Sequence, residues 1–163
     1  MALSRTIRDA IQGISGWATA MVGWDGSDVQ ILSLDSSGNL NSTARPADGT
    51  ALTSAARTAS VDSSDVINTH GKGLHLVIDV TSITLTPSIT VTIQGKDVVS
   101  GKYYTVLASA AITTVSTTVL KVHPALTAAA NLVANDLLPR TWRVSVVNAD
   151  ADSITYSVGY SVV

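Results

Sequence analysis

The sequence predicts an all-β protein, an antiparallel β-sandwich of jelly-roll-like form with an N-terminal arm. Three observations carry that expectation. Residues 88–93 alternate strictly, with Ile89, Val91 and Ile93 on one side and Ser88, Thr90 and Thr92 on the other, the period of a strand with one packed face. The same alternation returns at Trp142-Arg143-Val144-Ser145-Val146 and again from Ile154 to Val162. Finally, Ser, Thr and Val each occur 20 times in 163 residues, and β-branched side chains suit an extended backbone better than a helical one. Connections as short as Gln94–Gly101 can join only antiparallel neighbours. Six or more such strands with uneven loops favour two packed sheets over one open sheet.

The chain divides into an arm, residues 1–56, and a sandwich domain, residues 57–163. In the arm Leu3, Ile7, Ala10, Ile14, Trp17 and Met21 fall at alternating spacings of four and three, the repeat of a helix that packs on another element. Ser4 is placed to cap it, whereas Gly13 and Gly16 each cost about 1 kcal/mol of helix propensity relative to Ala. Three readings stand: a short helix or arm lying on its own domain, an oligomerisation helix, or a segment ordered only on assembly. Arg5, Arg8 and Ala18-Thr19-Ala20 loosely resemble a signal peptide, but Asp9, Gln12, Gly13, Ser15 and Gly16 dilute the apolar run.

Gly23–Asp28 reads as a tight turn through Asp25-Gly26, followed by a strand at Val29–Leu34 and a second turn at Asp35–Leu40. The Asp25/Asp28 and Asp35/Asn39 pairs lack a twelve-residue calcium loop, and its terminal Glu is a residue type absent from the chain. They read as turn caps. Asn41–Thr58, with Pro46 and Asp48-Gly49, reads as a linker or long surface loop.

Within the domain, Arg57–Asp65 is expected to form a first strand or edge segment, with His70–Gly73 as a flexible entry to Leu74–Val80. Ile83 and Leu85 alternate along Thr81–Pro87, and Pro87 must sit at an edge or just ahead of the next strand. Lys102–Ala108 is the partner of the 88–93 strand, with Tyr104, Val106 and Ala108 on one face. Thr113–Val122 is a further strand. Ala125–Leu138 is compatible with a short helix or a wound loop and is closed by Pro139. Trp142, Val144 and Val146 form one core row; Ile154, Tyr156, Val158, Tyr160 and Val162 form another.

Composition narrows the function. The chain carries 10 basic and 12 acidic side chains, a formal charge of −2, and no block of Lys or Arg that would track a phosphate backbone. Nucleic acid is therefore not an expected partner. No run of 18 apolar residues predicts a membrane span. Charged residues make up 13%, against about 25–35% for the surface of a freely soluble small domain, which suits a subunit whose surfaces meet other subunits.

Chemistry has few carriers. There is no cysteine, hence no disulfide, thiolate metal site or cysteine nucleophile. His70, His75 and His123 show no metal-ligand spacing, and His75 and Asp79 stand about 13 Å apart along an extended strand. Lys96 beside Asp97 reads as turn decoration, and no serine occupies a nucleophile elbow. No catalytic residue, metal or cofactor is expected. Trp24 and the adjacent Tyr103 and Tyr104 fit either a protein contact or a glycan-binding face.

Trp24-Asp25-Gly26-Ser27-Asp28 followed by Leu34–Leu40 resembles a segment near the N-termini of tailed-bacteriophage structural proteins. Ile89–Asp97 through Ser100–Tyr104, Asp136–Val144 and Asp152–Val158 look like a phage virion-associated family, so the likeness covers most of residues 57–163. The resemblance implies a non-enzymatic virion protein, assembled in the host cytoplasm and located at the capsid surface. Within the particle it favours a capsid decoration, or cement, protein bound to the major capsid protein, with a tail, neck or fibre component that touches host glycan as the alternative. It further implies a homo-oligomer, such proteins often being trimers. Leu3, Ile7, Ile14, Trp17, Met21, Trp24 and Tyr103 are the candidate partner contacts.

Overall fold

The computed structural model describes Val22–Trp24, Val29–Ile31, residues 47–69 and residues 71–163. The chain separates into two units, Met1–Thr43 and Ala44–Val163. In the first, β1 (Val22–Trp24) pairs antiparallel with β2 (Val29–Ile31), Trp24 opposite Val29. The Leu3–Met21 repeat lies outside the described residues.

The second unit is a sandwich of two sheets. Its strands are β3 (Ala47–Arg57), β4 (Val61–Asp62), β5 (Val66–Ile67), β6 (Leu74–Ile83), β7 (Ile89–Lys96), β8 (Tyr103–Ala108), β9 (Ser116–Val122), β10 (Val133–Ala134), β11 (Thr141–Asn148) and β12 (Ile154–Val162). One sheet runs β10-β9-β6-β12-β3; the other runs β4-β11-β7-β8, with β5 also on β11. The pairs are nested: β7 with β8, β6 with β9, β4 and β5 with β11, β3 with β12. A long antiparallel hairpin with β7–β8 at its tip has been rolled so that successive pairs fall alternately in one sheet and the other. That is jelly-roll topology.

The alternating rows build the core. Leu74, Leu76, Ile78 and Val80 of β6 and Ile154, Tyr156 and Val158 of β12 face Ile89, Val91 and Ile93 of β7 and Trp142, Val144 and Val146 of β11, and all are buried. Each such aliphatic side chain contributes roughly 1.5–3 kcal/mol by leaving water. Two serines complete the second sheet where strand pairing stops. Ser109 Oγ accepts the Val91 amide at 3.0 Å, and Ser63 Oγ accepts that of Val144 at 3.0 Å, so no buried amide is stranded there.

The structure corrects two expectations and decides between the alternatives of a third. Residues 47–56, expected in the arm and read as linker, form with Arg57 an eleven-residue edge strand of the sandwich. Of the two forms open to residues 125–138, a short helix or a wound loop, the chain takes the loop: turns lead into β10, which pairs parallel with β9. In β8 the shared face of Tyr104, Val106 and Ala108 is broken by a register shift beside Gln94. Tyr104 stands opposite Gly95 and Leu107 opposite Ile93, so Leu107 is the side chain that β8 buries.

Candidate functional site

Polar chemistry gathers on the outer faces of the two sheets. On the second sheet Lys96 of β7 lies 2.7 Å from Asp65, which also accepts the Tyr103 hydroxyl at 2.7 Å. Arg143 of β11 reaches Asp62 at 2.8 Å, donates from Nε to Gln94 Oε1 at 2.8 Å and sets its guanidinium 3.6 Å from the centre of the Tyr103 ring. Strand alternation puts Arg143 here, between buried Trp142 and Val144. The hydrogen bonds from Lys96 and then Tyr103 hold the Asp65 carboxyl below its usual range, and the Asp65 bond raises Lys96. Both groups stay charged near neutrality and occupied by each other. The arrangement fixes four strands to a rigid, electrically balanced face.

Tyr103 is one of the candidate partner contacts. It is half-buried within this network, with its ring beneath Arg143. Asp62, Asp65, Gln94 and Arg143 were not singled out from sequence; the one local signal was an arginine on the outward parity of β11. Trp24 is in β1, and Leu3, Ile7, Ile14, Trp17 and Met21 lie outside the described residues.

Across the outer face of the first sheet, Lys121, His75, Ser161 and Asp48 stand directly opposite one another on β9, β6, β12 and β3. Ser161 Oγ donates to Asp48 at 2.5 Å, and two steps along the same face Thr117 Oγ1 donates to Asp79 at 2.9 Å. A shallow groove of about 390 Å3 opens here over Gly159 and Val77, rimmed by Asp48, His75 and Ser161. His70 is outside the described residues, and His123 accepts the Ala125 amide at a turn. Among the described residues no three His, Asp, Glu or Cys side chains converge as metal ligands.

One end of the sandwich is different in character. Strand register brings Ile67, Val98, Val99, Tyr104, Leu137 and Val163 to the same end, all exposed. The β7–β8 tip is the most prominent: Val98 is 84% and Val99 91% exposed. The tip is also well built. The Asp97 carboxylate accepts the amides of Val99 and Ser100 and the Ser100 hydroxyl, and Gly101 closes the turn at φ 70°, a conformation that favours glycine.

No family model matches the chain, and no curated protein matches it. Among solved structures it is similar to a chain in the structure of infectious bursal disease virus, Gx strain, at 13% identity and a TM-score of 0.43, over 88% of this chain and 37% of that one. The chain therefore spans little more than a third of that relative's length, and the likeness is too loose to assign a role.

Proposed function

We propose that this chain is a non-enzymatic structural protein of a virus particle, and within it a capsid decoration protein that binds and stabilises the shell of major capsid protein. The observation that carries the reading is the contrast between the sandwich's faces and its end. The two ion pairs of the second sheet's outer face are closed on themselves, whereas aliphatic side chains on a hydrogen-bonded hairpin tip stand in water without partners. Exposed apolar groups held in a fixed geometry mark an interaction surface. A charged content of 13% agrees with surfaces that end up against other subunits. The resemblance to tailed-phage virion proteins points the same way.

The test is the copy number of this chain in purified particles, by quantitative mass spectrometry against the major capsid protein. Hundreds of copies in a simple ratio to the shell subunit are expected. A few to several tens would move the protein to the neck, tail or fibre, and none would sink the virion reading. Double replacement of Val98 and Val99 by Ser should lower capsid occupancy while leaving the fold intact.

The groove over Gly159 favours the second reading, a tail, neck or fibre component that touches host glycan. A carboxylate, an imidazole and a hydroxyl around a floor of Gly159 and Val77 offer donors and acceptors to a polyol. A side chain added at Gly159 meets only the Gly49 carbonyl, at 3.9 Å. Gly159→Val should therefore fill the groove without disturbing the sheet and abolish any saturable glycan binding seen by NMR.

A further inference from the structure

His123 stands where three polar contacts of one loop converge. β9 ends at Val122, and the chain turns back so that β10 lies parallel against β9 as the outermost strand of the first sheet. The His123 amide donates to the Ala134 carbonyl at 3.0 Å, and its carbonyl accepts the Leu126 amide at 3.2 Å. Its Nδ1 accepts the Ala125 amide at 3.1 Å. One residue therefore holds both the start of the loop and its end. The Lys121 amide on the Leu132 carbonyl, 2.9 Å, and Asn131 Nδ2 on the Ala108 carbonyl, 3.2 Å, also fasten the loop to the sandwich. No side chain from Ala125 to Ala134 is buried; Val133 and Ala134 alone reach half-burial. A segment with so little apolar burial opens locally at far lower cost than the sheets do, so the polar contacts decide whether it stays closed.

The Nδ1 contact is chemically one-sided. A main-chain N–H can only donate, so Nδ1 must present its lone pair and the neutral ring carries its proton on Nε2. A second proton can go only to Nδ1. It turns the acceptor into a donor aimed at another donor, and the turn through Pro124 loses its closing bond. Imidazole is the side chain that makes this change in mildly acidic water. The ring is seated against β6, its Cδ2 edge covering Gly73, where a Cβ would come within 2.6 Å of it.

The charged groups around the ring follow from the ladders. Lys121 shares its strand face two residues back, and His75 stands opposite Lys121 on β6. Lys72 precedes Gly73, and its amide and that of Gly73 hold the Val163 carbonyl oxygen. Asp136 follows β10 by two residues, its carboxylate turned to the Leu137 amide at 2.8 Å. Among the described residues none of these side chains bonds to the ring, so the Ala125 amide is what a proton on Nδ1 displaces.

We propose that His123 is an acid-operated latch: its protonation releases the 125–134 loop and with it β10, uncovering the outer edge of β9. The latch belongs to the sandwich alone and is tested apart from any place in a particle.

Hydrogen exchange followed by NMR reads it, because β10 covers the amides of Lys121 and His123. In the wild type their protection factors should fall about tenfold, the weight of roughly one hydrogen bond, in step with the titration of the His123 ring, while the Val91 and Val144 amides of the second sheet hold. His123→Asn keeps an acceptor for the amide two residues on, in a turn that Asn before Pro favours, yet cannot take up a proton. Its loop should stay protected across the same range. His123→Ala lacks the acceptor and should be as open at neutral pH as the wild type is in acid. Wild-type protection that does not change as the ring titrates would overturn the proposal. So would a loss in acid that persists in His123→Asn, or a loop that stays closed in His123→Ala.

Discussion

Tyr160 lies directly across the β12–β3 ladder from Gly49, and its phenol occupies the space that a side chain at position 49 would need. The ring cannot swing clear at low cost, because it packs edge-on against buried Trp142 with centroids 5.1 Å apart. An aromatic laid over a cross-strand glycine supplies the apolar cover that the glycine lacks. Gly49→Ala should cost about 1–3 kcal/mol, the usual range for overpacking, measured as a lowered urea midpoint. A neutral result would mean that the ring has another place to go.

Arg143 makes three different contacts at once, to Asp62, Gln94 and the Tyr103 ring. Arg143→Ala should destabilise by about 1–2 kcal/mol, mostly through the stacked and part-buried geometry, since exposed ion pairs alone contribute roughly 0–1 kcal/mol. Lysine should not rescue, because it lacks the planar fork and the flat face. A double-mutant cycle with Tyr103→Leu should return a coupling above about 0.5 kcal/mol; simple additivity would show that the stack contributes nothing.

The Asp65–Lys96 pair gives stability a defined pH window. Asp65 is depressed below 3.8 in the fold, so its contribution is complete above that value and lost as pH falls through the folded one. Lys96 is raised above 10.5, so its contribution is complete below that value and lost as pH rises through the folded one. Asp97, lowered by the Ser100 hydroxyl and then by the amides of Ser100 and Val99, adds to the acid limb. Denaturant midpoints for wild type and Asp65→Asn should differ at neutral pH and converge at the acid extreme. A gap that persists in acid would refute the assignment.

Tyr156 presents the opposite case. Its hydroxyl is buried without a hydrogen-bond partner, and burial pushes its pKa up. The Arg57 guanidinium sits over the ring, 4.5 Å from its centre, a contact that phenylalanine would keep. Tyr156→Phe removes an unsatisfied polar group at constant shape and should be neutral or stabilising. A loss of more than about 1 kcal/mol in thermal or urea unfolding would point to a partner for that hydroxyl.

What was legible in the sequence was whatever depended on period. The rows of β7, β11 and β12 read correctly because strict alternation leaves only one face to bury. β3 did not, since Ala47–Arg57 is small, polar and carries Asp48-Gly49, which locally resembles a loop; the central strand β12 supplies its pairing from about a hundred residues away. The face of β8 was misread because one register shift inverts every side chain beyond it. Tyr103 was legible as an outward aromatic, but the arginine that covers it comes from a strand far along the chain. The roles of Ser63 and Ser109, standing in for missing strand neighbours, lie in tertiary geometry and leave no mark on composition.

The position of β12 has a consequence for how the molecule is made. It is the last strand of the sandwich in chain order, yet it lies between β6 and β3. During synthesis β3 emerges about a hundred residues before β12, its one strand partner among the described residues. The nascent first sheet is therefore held open, with Leu52 and the β6 core row waiting in water, until Ile154–Val162 clears the ribosome. Pairings that close so late fold slowly and expose sticky edges in the interval. A chain cut between β11 and β12 therefore lacks the strand that joins β3 to β6 and leaves the first sheet in two pieces.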